Sequence, residues 1–220
     1  MFSEATLNMF AVGLAETLYM VLASTSIAYI IGLPLGIALV ISEESPKPLA
    51  QLFNKSLGLI VNLLRSVPFL ILMMALNPLT RKVIGTTIGP NAAVMALVVA
   101  SAPFIARLVE SSLKEVDRGV IEAANSMGAS MPQIIWKVLL PEARPSLLVG
   151  AAIAVTTILS YSAMAGIIGG GGLGDIAIRY GYYRYQFDIM LVTMLLLVIL
   201  VQVLQEIGMR LAKTFDKRVN

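Results

Sequence analysis

The chain has 220 residues, of which 58% are hydrophobic and 13% charged, with mean hydropathy +0.86. A soluble domain carries about 25% charge, and 29 charged side chains crowded into a few short stretches cannot coat one, so a water-soluble enzyme is excluded. With no His and no Cys, zinc clusters, His-dependent triads, Cys nucleophiles, disulfides and haem or iron–sulfur ligation are excluded as well. The net charge of +3 is scattered around apolar spans, which points to membrane lipid and gives no support to a nucleic-acid partner.

A spanning helix needs about 20 apolar residues, and five stretches qualify. The expected fold is all-α: a polytopic membrane protein of one domain with five transmembrane helices, at about 14–42, 56–80, 85–106, 145–167 and 188–207. The first stretch, between Glu16 and Glu43, is too long, starts too far in and lacks a basic leader or small-residue cleavage site, so it reads as a retained span and not a signal peptide. Gly32 and Gly36, with Pro34 between them, predict close helix packing and a local bend. The second span is interrupted by Arg65, in Asn62-Leu63-Leu64-Arg65-Ser66-Val67-Pro68-Phe69. An ionised side chain at the membrane core costs at least about 2.5 kcal/mol and is a functional candidate by default. The structural alternative, favoured here, is an arginine that caps carbonyls freed by Pro68 or reaches toward the cytoplasm. In the third span, Pro103 predicts a kink.

The 38 residues from 107 to 144 hold ten charged side chains and form the largest segment between spans. Asp117 is placed to cap a short helix through Ile121, Glu122, Ala123, Ala124 and Met127, and Gly128 suits the left-handed residue that ends it. Ser130 with Gln133 makes a capping box, with Pro132 in the first turn of a second helix. That helix, with Ile134, Ile135, Val138 and Leu139 on its apolar side, is expected to stop before Pro141. The product is a compact knob; the alternative is a linker with amphipathic helices lying on the bilayer.

In the fourth span, Leu159-Ser160-Tyr161-Ser162-Ala163-Met164-Ala165 places hydroxyls, a tyrosine and a methionine deep in the membrane. Tyr161 and Met164 are three apart and expected on one face, where with Ser160 and Ser162 they would line a pathway and close a hydrophobic constriction. Ordinary packing, with methionine filling a gap, is the alternative. The run from Gly166 to Asp175 lacks the Gly-Lys-Ser/Thr ending of a phosphate loop, and no other segment has a Walker-type motif. The chain is therefore not expected to hydrolyse ATP, and no catalytic residue, metal or cofactor is assigned to it. The glycines are expected to turn the chain sharply at the outer mouth.

Five spans put the two termini on opposite sides. With the C-terminus inside, Lys47, Lys55, Arg107, Lys114, Arg118, Lys137, Arg144, Arg210, Lys213, Lys217 and Arg218 are cytoplasmic, against Arg81, Lys82, Arg179 and Arg184 outside. The bias of eleven to four places the N-terminus outside and the C-terminus in the cytoplasm. No internal repeat is visible, so symmetry must come from a second copy.

Glu122-Ala123-Ala124, three residues, Gly128, nine residues, then Val138-Leu139-Leu140-Pro141 resembles the EAA signature of ABC-importer membrane subunits, E-A-A-x3-G-x9-I-x-L-P, with valine where isoleucine is usual. The resemblance implies that the short helix couples to a separate cytoplasmic ATPase, through Glu122, Ala123, Ala124, Gly128, Leu140 and Pro141. A small face at Ala123 and Ala124 would allow close approach; Glu122 would meet the partner or pair with Arg118 in its own loop. Arg65-Ser-x-Pro resembles the Arg-x-x-Pro element of amino-acid ABC permeases, which makes direct substrate contact the alternative role for Arg65. Residues 62–72, 102–113, 121–145 and 161–182, including Tyr-Ser-Ala-Met and Gly-Gly-Leu-Gly-Asp, are similar to the membrane subunit of the methionine ABC importer family.

That similarity implies a type I ABC importer permease in a bacterial cytoplasmic membrane. Its partners would be a second permease in a homodimer, two ATP-binding subunits holding ATP and Mg, and an extracytoplasmic methionine-binding lipoprotein. Another amino acid or small polar solute on the same machinery is the alternative. An ion-coupled transporter is disfavoured because no Asp or Glu lies between the charge-free span boundaries. An intramembrane protease would need His or intramembrane Asp pairs.

Overall fold

The computed structural model describes residues 2–215; Lys217 and Arg218, counted above in the basic tail, lie outside them. In chain order the helices are α1 (Glu4–Glu44), α2 (Pro48–Ser66), α3 (Phe69–Ile84), α4 (Pro90–Lys114), α5 (Arg118–Ser126), α6 (Met131–Ile134), α7 (Leu140–Glu142), α8 (Arg144–Ala165), α9 (Gly172–Ile176) and α10 (Phe187–Phe215). No strand occurs among the described residues. The helices α1, α4, α8 and α10 are each long and apolar enough to cross a membrane. With 41 residues, α1 is about 60 Å long, twice the hydrocarbon thickness of about 30 Å, so it projects beyond the bilayer as well as crossing it.

The second span is not one helix. Its two halves, α2 and α3, meet at 106°. Pro68 has no N–H to offer Leu64 and forces the residue before it out of the helical region; Val67 is extended, at φ −80° and ψ 125°. The pair nevertheless makes one crossing, because α1 and α4 run parallel. Gly32 meets Ala102 and Ile105, Gly36 meets Ala106 and Val109, and the Tyr19 hydroxyl donates to Asn91 Oδ1 at 2.8 Å. Two successive parallel spans require the chain between them to cross back. α8 then runs antiparallel to α4, with Gly150 beside Leu108 and the Ser146 and Ser112 hydroxyls 3.0 Å apart. α10 is antiparallel to α8, with Gly208 against Ala152. With the bent pair counted as one crossing, the described residues hold five candidate spans.

The core follows the α1–α4 seam through Met20, Ala28, Ala93, Leu97, Ile105 and Val109, all buried. A Cβ on Gly36 would lie 2.6 Å from the Ala106 carbonyl oxygen and 2.7 Å from Val109 Cβ; one on Gly32 would lie 2.7 Å from Ile105 Cγ2. The two backbones are in contact, which only glycine permits. Pro34 and Pro103 sit inside helices that continue past them, so Pro103 does not break α4.

The glycine run turns sharply, with positive φ at Gly169, Gly171 and Gly172, and it is closely packed. A Cβ on Gly174 would collide with the Ala163 carbonyl, and one on Gly166 with the Gly174 backbone, so α9 lies backbone to backbone on the end of α8. The Gly172 and Leu173 N–H groups donate to Glu16 Oε2 at 2.7 Å and Thr17 Oγ1 at 2.8 Å. Glu16, taken above as a span boundary, lies more than three turns inside α1 and is committed to this turn.

Gly36→Val should push α1 from α4 and cost about 1–3 kcal/mol, the usual price of overpacking. The readout is a lowered thermal midpoint of the purified protein. Gly58→Ala, whose new Cβ would meet only the end of Arg107 at 3.4 Å, should change little. Equal stability of the two variants would contradict a tight seam.

Candidate functional site

The knob is built from local signals. The Asp117 carboxylate accepts from the Gly119 N–H at 2.7 Å and starts α5. At its other end Gly128 adopts φ 78°, which lets the Ala129 N–H reach back to the Ala124 carbonyl at 3.1 Å in a Schellman-type closure. The Gln133 side chain then accepts from the Ser130 N–H at 2.8 Å at the start of α6.

The second helix does not stop before Pro141. It widens into a π-helical turn over Ile135–Leu139, continues as α7, and joins α8 at Ala143. Pro141 cannot donate to the Lys137 carbonyl and would clash with it in an α-helix. The wider turn, in which the Leu140 N–H donates to the Ile135 carbonyl, absorbs the mismatch. The knob and the fourth span are thus one continuous body, with Leu140 and Pro141 at the junction.

Ala123 and Ala124 do not share a free face. Neighbours on a helix point about 100° apart; Ala124 is buried in the core cluster with Ile134, Leu139 and Ala143, whereas Glu122 and Ala123 are exposed. Glu122 forms no ion pair with Arg118 or any other described residue. The knob also exposes apolar side chains, Met127 at 81% and three that sequence reasoning passed over: Val120, Met131 and Trp136 at 70%.

Sequence reasoning also missed a polar clamp at the knob end of the bundle. Glu110, on α4, is held by Arg107 and by Lys114 Nζ at 2.9 Å; Lys114 reaches Glu43 of α1 at 2.6 Å. Arg107 donates onward to the Gly58 carbonyl at 3.1 Å and to Asn62 Oδ1 at 3.0 Å on α2. Asn54 of α2 donates to the Leu39 carbonyl at 2.7 Å and the Ser42 hydroxyl at 3.0 Å on α1. The i,i+3 and i,i+4 spacing of Arg107, Glu110 and Lys114 is the signal legible in the sequence.

The expected constriction is not assembled within one subunit. Ser160 and Met164, four apart, line an apolar groove of about 540 Å³ between α8 and α10, with Met194, Leu197 and Val198. Tyr161 stacks on Phe69 of α3 at 4.8 Å and lines a separate cavity of about 190 Å³ with Arg65 and Phe104. Ser162 is buried, its hydroxyl donating to the Leu159 carbonyl at 2.7 Å. Tyr161 and Met164 diverge because α8 is flanked by α3 and α4 on one side and α10 on the other, and the dividing line falls between them. Arg65 stands in the last turn of α2, where free carbonyls favour a cation, and has no ion pair among the described residues.

Glu110→Ala should destabilise the protein by up to about 3 kcal/mol, the lower end for breaking a buried pair. Glu110 is only 9% exposed, but Arg107 and Lys114 keep 25% and 44% exposure and so retain some water. Chemical denaturation of the purified protein reads this directly, and an unchanged midpoint would reduce the clamp to a surface ornament.

Residues 32–220 match the family described as binding-protein-dependent transport system inner membrane component. The chain is 49% identical over 203 residues to the probable D-methionine transport system permease protein MetI of Vibrio cholerae, covering 92% of this chain and 90% of that protein. It is 47% identical over 165 residues to the methionine import system permease protein MetP of Bacillus subtilis, covering 75% and 74%. The fold superposes with TM-score 0.94 on a solved structure of inward facing conformations of the MetNI methionine ABC transporter, at 42% identity over 98% of this chain and 100% of that one. An amino acid ABC transporter crystallised with histidines shares the fold at TM-score 0.73 and 22% identity, covering 96% and 94%.

Proposed function

Since the chain belongs to the binding-protein-dependent transport system inner membrane component family, it is the permease subunit of an ABC importer in the inner membrane, and we propose that it carries methionine. The observation that carries the cargo assignment is the joint agreement of sequence and fold, 49% identity to a probable D-methionine permease and TM-score 0.94 to a methionine ABC transporter. The working unit is a homodimer of this chain with two ATP-binding subunits under the knobs and an extracytoplasmic methionine-binding lipoprotein at the opposite end. ATP and Mg belong to the ATP-binding subunits. In this chain the amides at the start of α9, the nearest thing to a phosphate cradle, are already bonded to Glu16 and Thr17. The eleven-to-four distribution of basic residues supports an outer N-terminus and a cytoplasmic C-terminus.

The exposed Glu122 and Ala123, on a helix closed by Gly128, form the contact with the ATP-binding subunit, and Ala124 fastens that helix to the knob. Closure of the ATP-binding pair displaces α5. Because α6, the π turn and α7 lead into α8 without a loop, the displacement reaches the fourth span directly, with Leu140 and Pro141 as the junction. The Ser160 and Met164 face, with Met164 44% exposed, supplies the pathway surface that such a movement opens and closes. Tyr161 holds α8 against α3 through the stack on Phe69, while the buried Ser162 hydroxyl is satisfied within α8 itself by the Leu159 carbonyl.

Reconstituted with its ATP-binding and lipoprotein partners, the protein should accumulate labelled methionine in vesicles with ATP. Glu122→Lys should lower that uptake about tenfold or more, as expected when a contact charge is reversed, while the permease remains in the membrane. Gly128→Pro should act in the same direction. Uptake at the parent rate in both variants would remove α5 from the coupling path, and hydrolysis stimulated only by another solute would replace methionine as cargo. Met164→Ala should raise leak or alter the uptake rate at unchanged protein level; a loss that merely follows protein abundance would assign Met164 to packing.

A further inference from the structure

The glycine-rich turn after α8 and the first residues of α9 are fastened to α1 and α4 by backbone hydrogen bonds. The Gly172 N–H donates to Glu16 Oε2 at 2.7 Å and the Leu173 N–H to Thr17 Oγ1 at 2.8 Å, both on α1. The Gly89 N–H, just before α4, donates to the Gly169 carbonyl at 2.8 Å. We propose that the two bonds to α1 are a latch, closed while the lipoprotein end of the pathway is shut and released when that end opens, with Glu16 and Thr17 as its positioning residues. This rests on the reading of the chain as an importer permease whose fourth span moves.

The latch fits one position of the turn. The Thr17 hydroxyl donates to the Gly13 carbonyl at 2.8 Å, which leaves its lone pairs for the Leu173 N–H. Gly171 and Gly172 lie at φ 82° and 74°, a left-handed conformation that brings their backbone directly onto α1. A Cβ on Gly172 would lie 2.6 Å from Thr17 Oγ1 and 2.7 Å from Met20 Cε, and one on Gly171 would lie 2.9 Å from Glu16 Oε2. A single added methyl group would hold the two elements apart.

The two sides of the latch are connected to different parts of the molecule. On one side, α1 is locked to α4 at Gly32 and Gly36. On the other, α9 packs backbone to backbone on the end of α8, which is continuous with the knob. A displacement of α8 relative to α1 therefore loads these bonds. Apolar packing between helices in lipid has no hydrophobic force behind it, whereas an N–H···O bond is lost within about an ångström of extension. Glu16 is half-buried and has no ion pair among the described residues, so water can take over its carboxylate once the turn lifts. A hydrogen bond to an ionised acceptor biases a two-state element about tenfold or more.

The chain contains no cysteine, so one introduced thiol reports on the latch without background from this subunit. Met20 is fully buried beneath Gly172. Met20→Cys, in the complete transporter in vesicles, would be treated with a membrane-impermeant maleimide on the lipoprotein side. Labelling should be about tenfold or more faster with the lipoprotein bound and the ATP-binding pair trapped by vanadate than in the nucleotide-free transporter. Combined Glu16→Ala and Thr17→Val should give fast labelling already without nucleotide. The same pair of changes should raise ATP hydrolysis in the absence of lipoprotein about tenfold, because weakening one state favours the other. Glu16→Gln and Thr17→Ser keep an acceptor at each position and should restore most of the parent behaviour. Leu173→Cys, fully buried on the α9 side, is a second reporter should Met20→Cys impair assembly, and the hydrolysis readout needs no cysteine.

Equal labelling in the two states would overturn the latch. So would Glu16→Ala with Thr17→Val lowering the thermal midpoint while labelling and lipoprotein dependence stay at the parent level, which would leave both residues as fold contacts. If methionine is accumulated in vesicles while labelling ignores the state, the latch fails and the importer reading stands. If another solute is accumulated and labelling still follows the state, the cargo reading fails and the latch stands.

Discussion

The direct backbone contact of α1 with α4 at Gly32 and Gly36 is the constraint from which the rest of the bundle follows. Two helices that touch without intervening side chains are held at a fixed distance and in a fixed register, and here they are also parallel. The intervening chain must therefore cross back within α2 and α3. The same register brings Glu43 at the end of α1 to Lys114 at the end of α4, and so allows the polar clamp to close across three helices. Shifting either helix by one turn would separate the charges as well as the glycines.

The polar clamp and the continuous knob divide the labour at that end of the molecule. The clamp ties α1, α2 and α4 into a frame through groups that are mutually paired, so that Glu110 can be buried without an uncompensated charge. The knob is joined instead to α8, through the π turn at Ile135–Leu139. At the far end, the packing of Gly174 on Ala163 and the bonds from Glu16 and Thr17 secure the turn between α8 and α9, so the fourth span is held at both ends by named contacts.

Proline acts in three different ways in this chain, and the surroundings decide which. Pro68 divides a span because Val67 takes an extended conformation and the chain redirects by 106°. Pro34 and Pro103 lie within helices whose packing is continuous on either side of them. Pro141 is accommodated by widening the preceding turn, which preserves the connection from knob to membrane. A lost N–H is the same local event each time; the neighbouring contacts determine whether the helix ends, persists or widens.

Much of this was legible in the sequence, because the signals are local. Apolar length marks a span, Asp117 and Gly128 set the ends of α5 by their own hydrogen bonding and φ, and the spacing of Gly32 and Gly36 marks a close helix contact. The spacing of Glu122, Gly128 and Pro141 likewise identified the family. What depended on tertiary structure was the identity of neighbours. Tyr161 and Met164 are close on the helix but fall on opposite sides of a boundary drawn by α3, α4 and α10; Ala124 turns inward because the knob folds over it; and Arg107 bonds to residues more than forty positions away. Periodicity specifies which residues share a face of one helix, whereas the packing of other helices determines what that face meets.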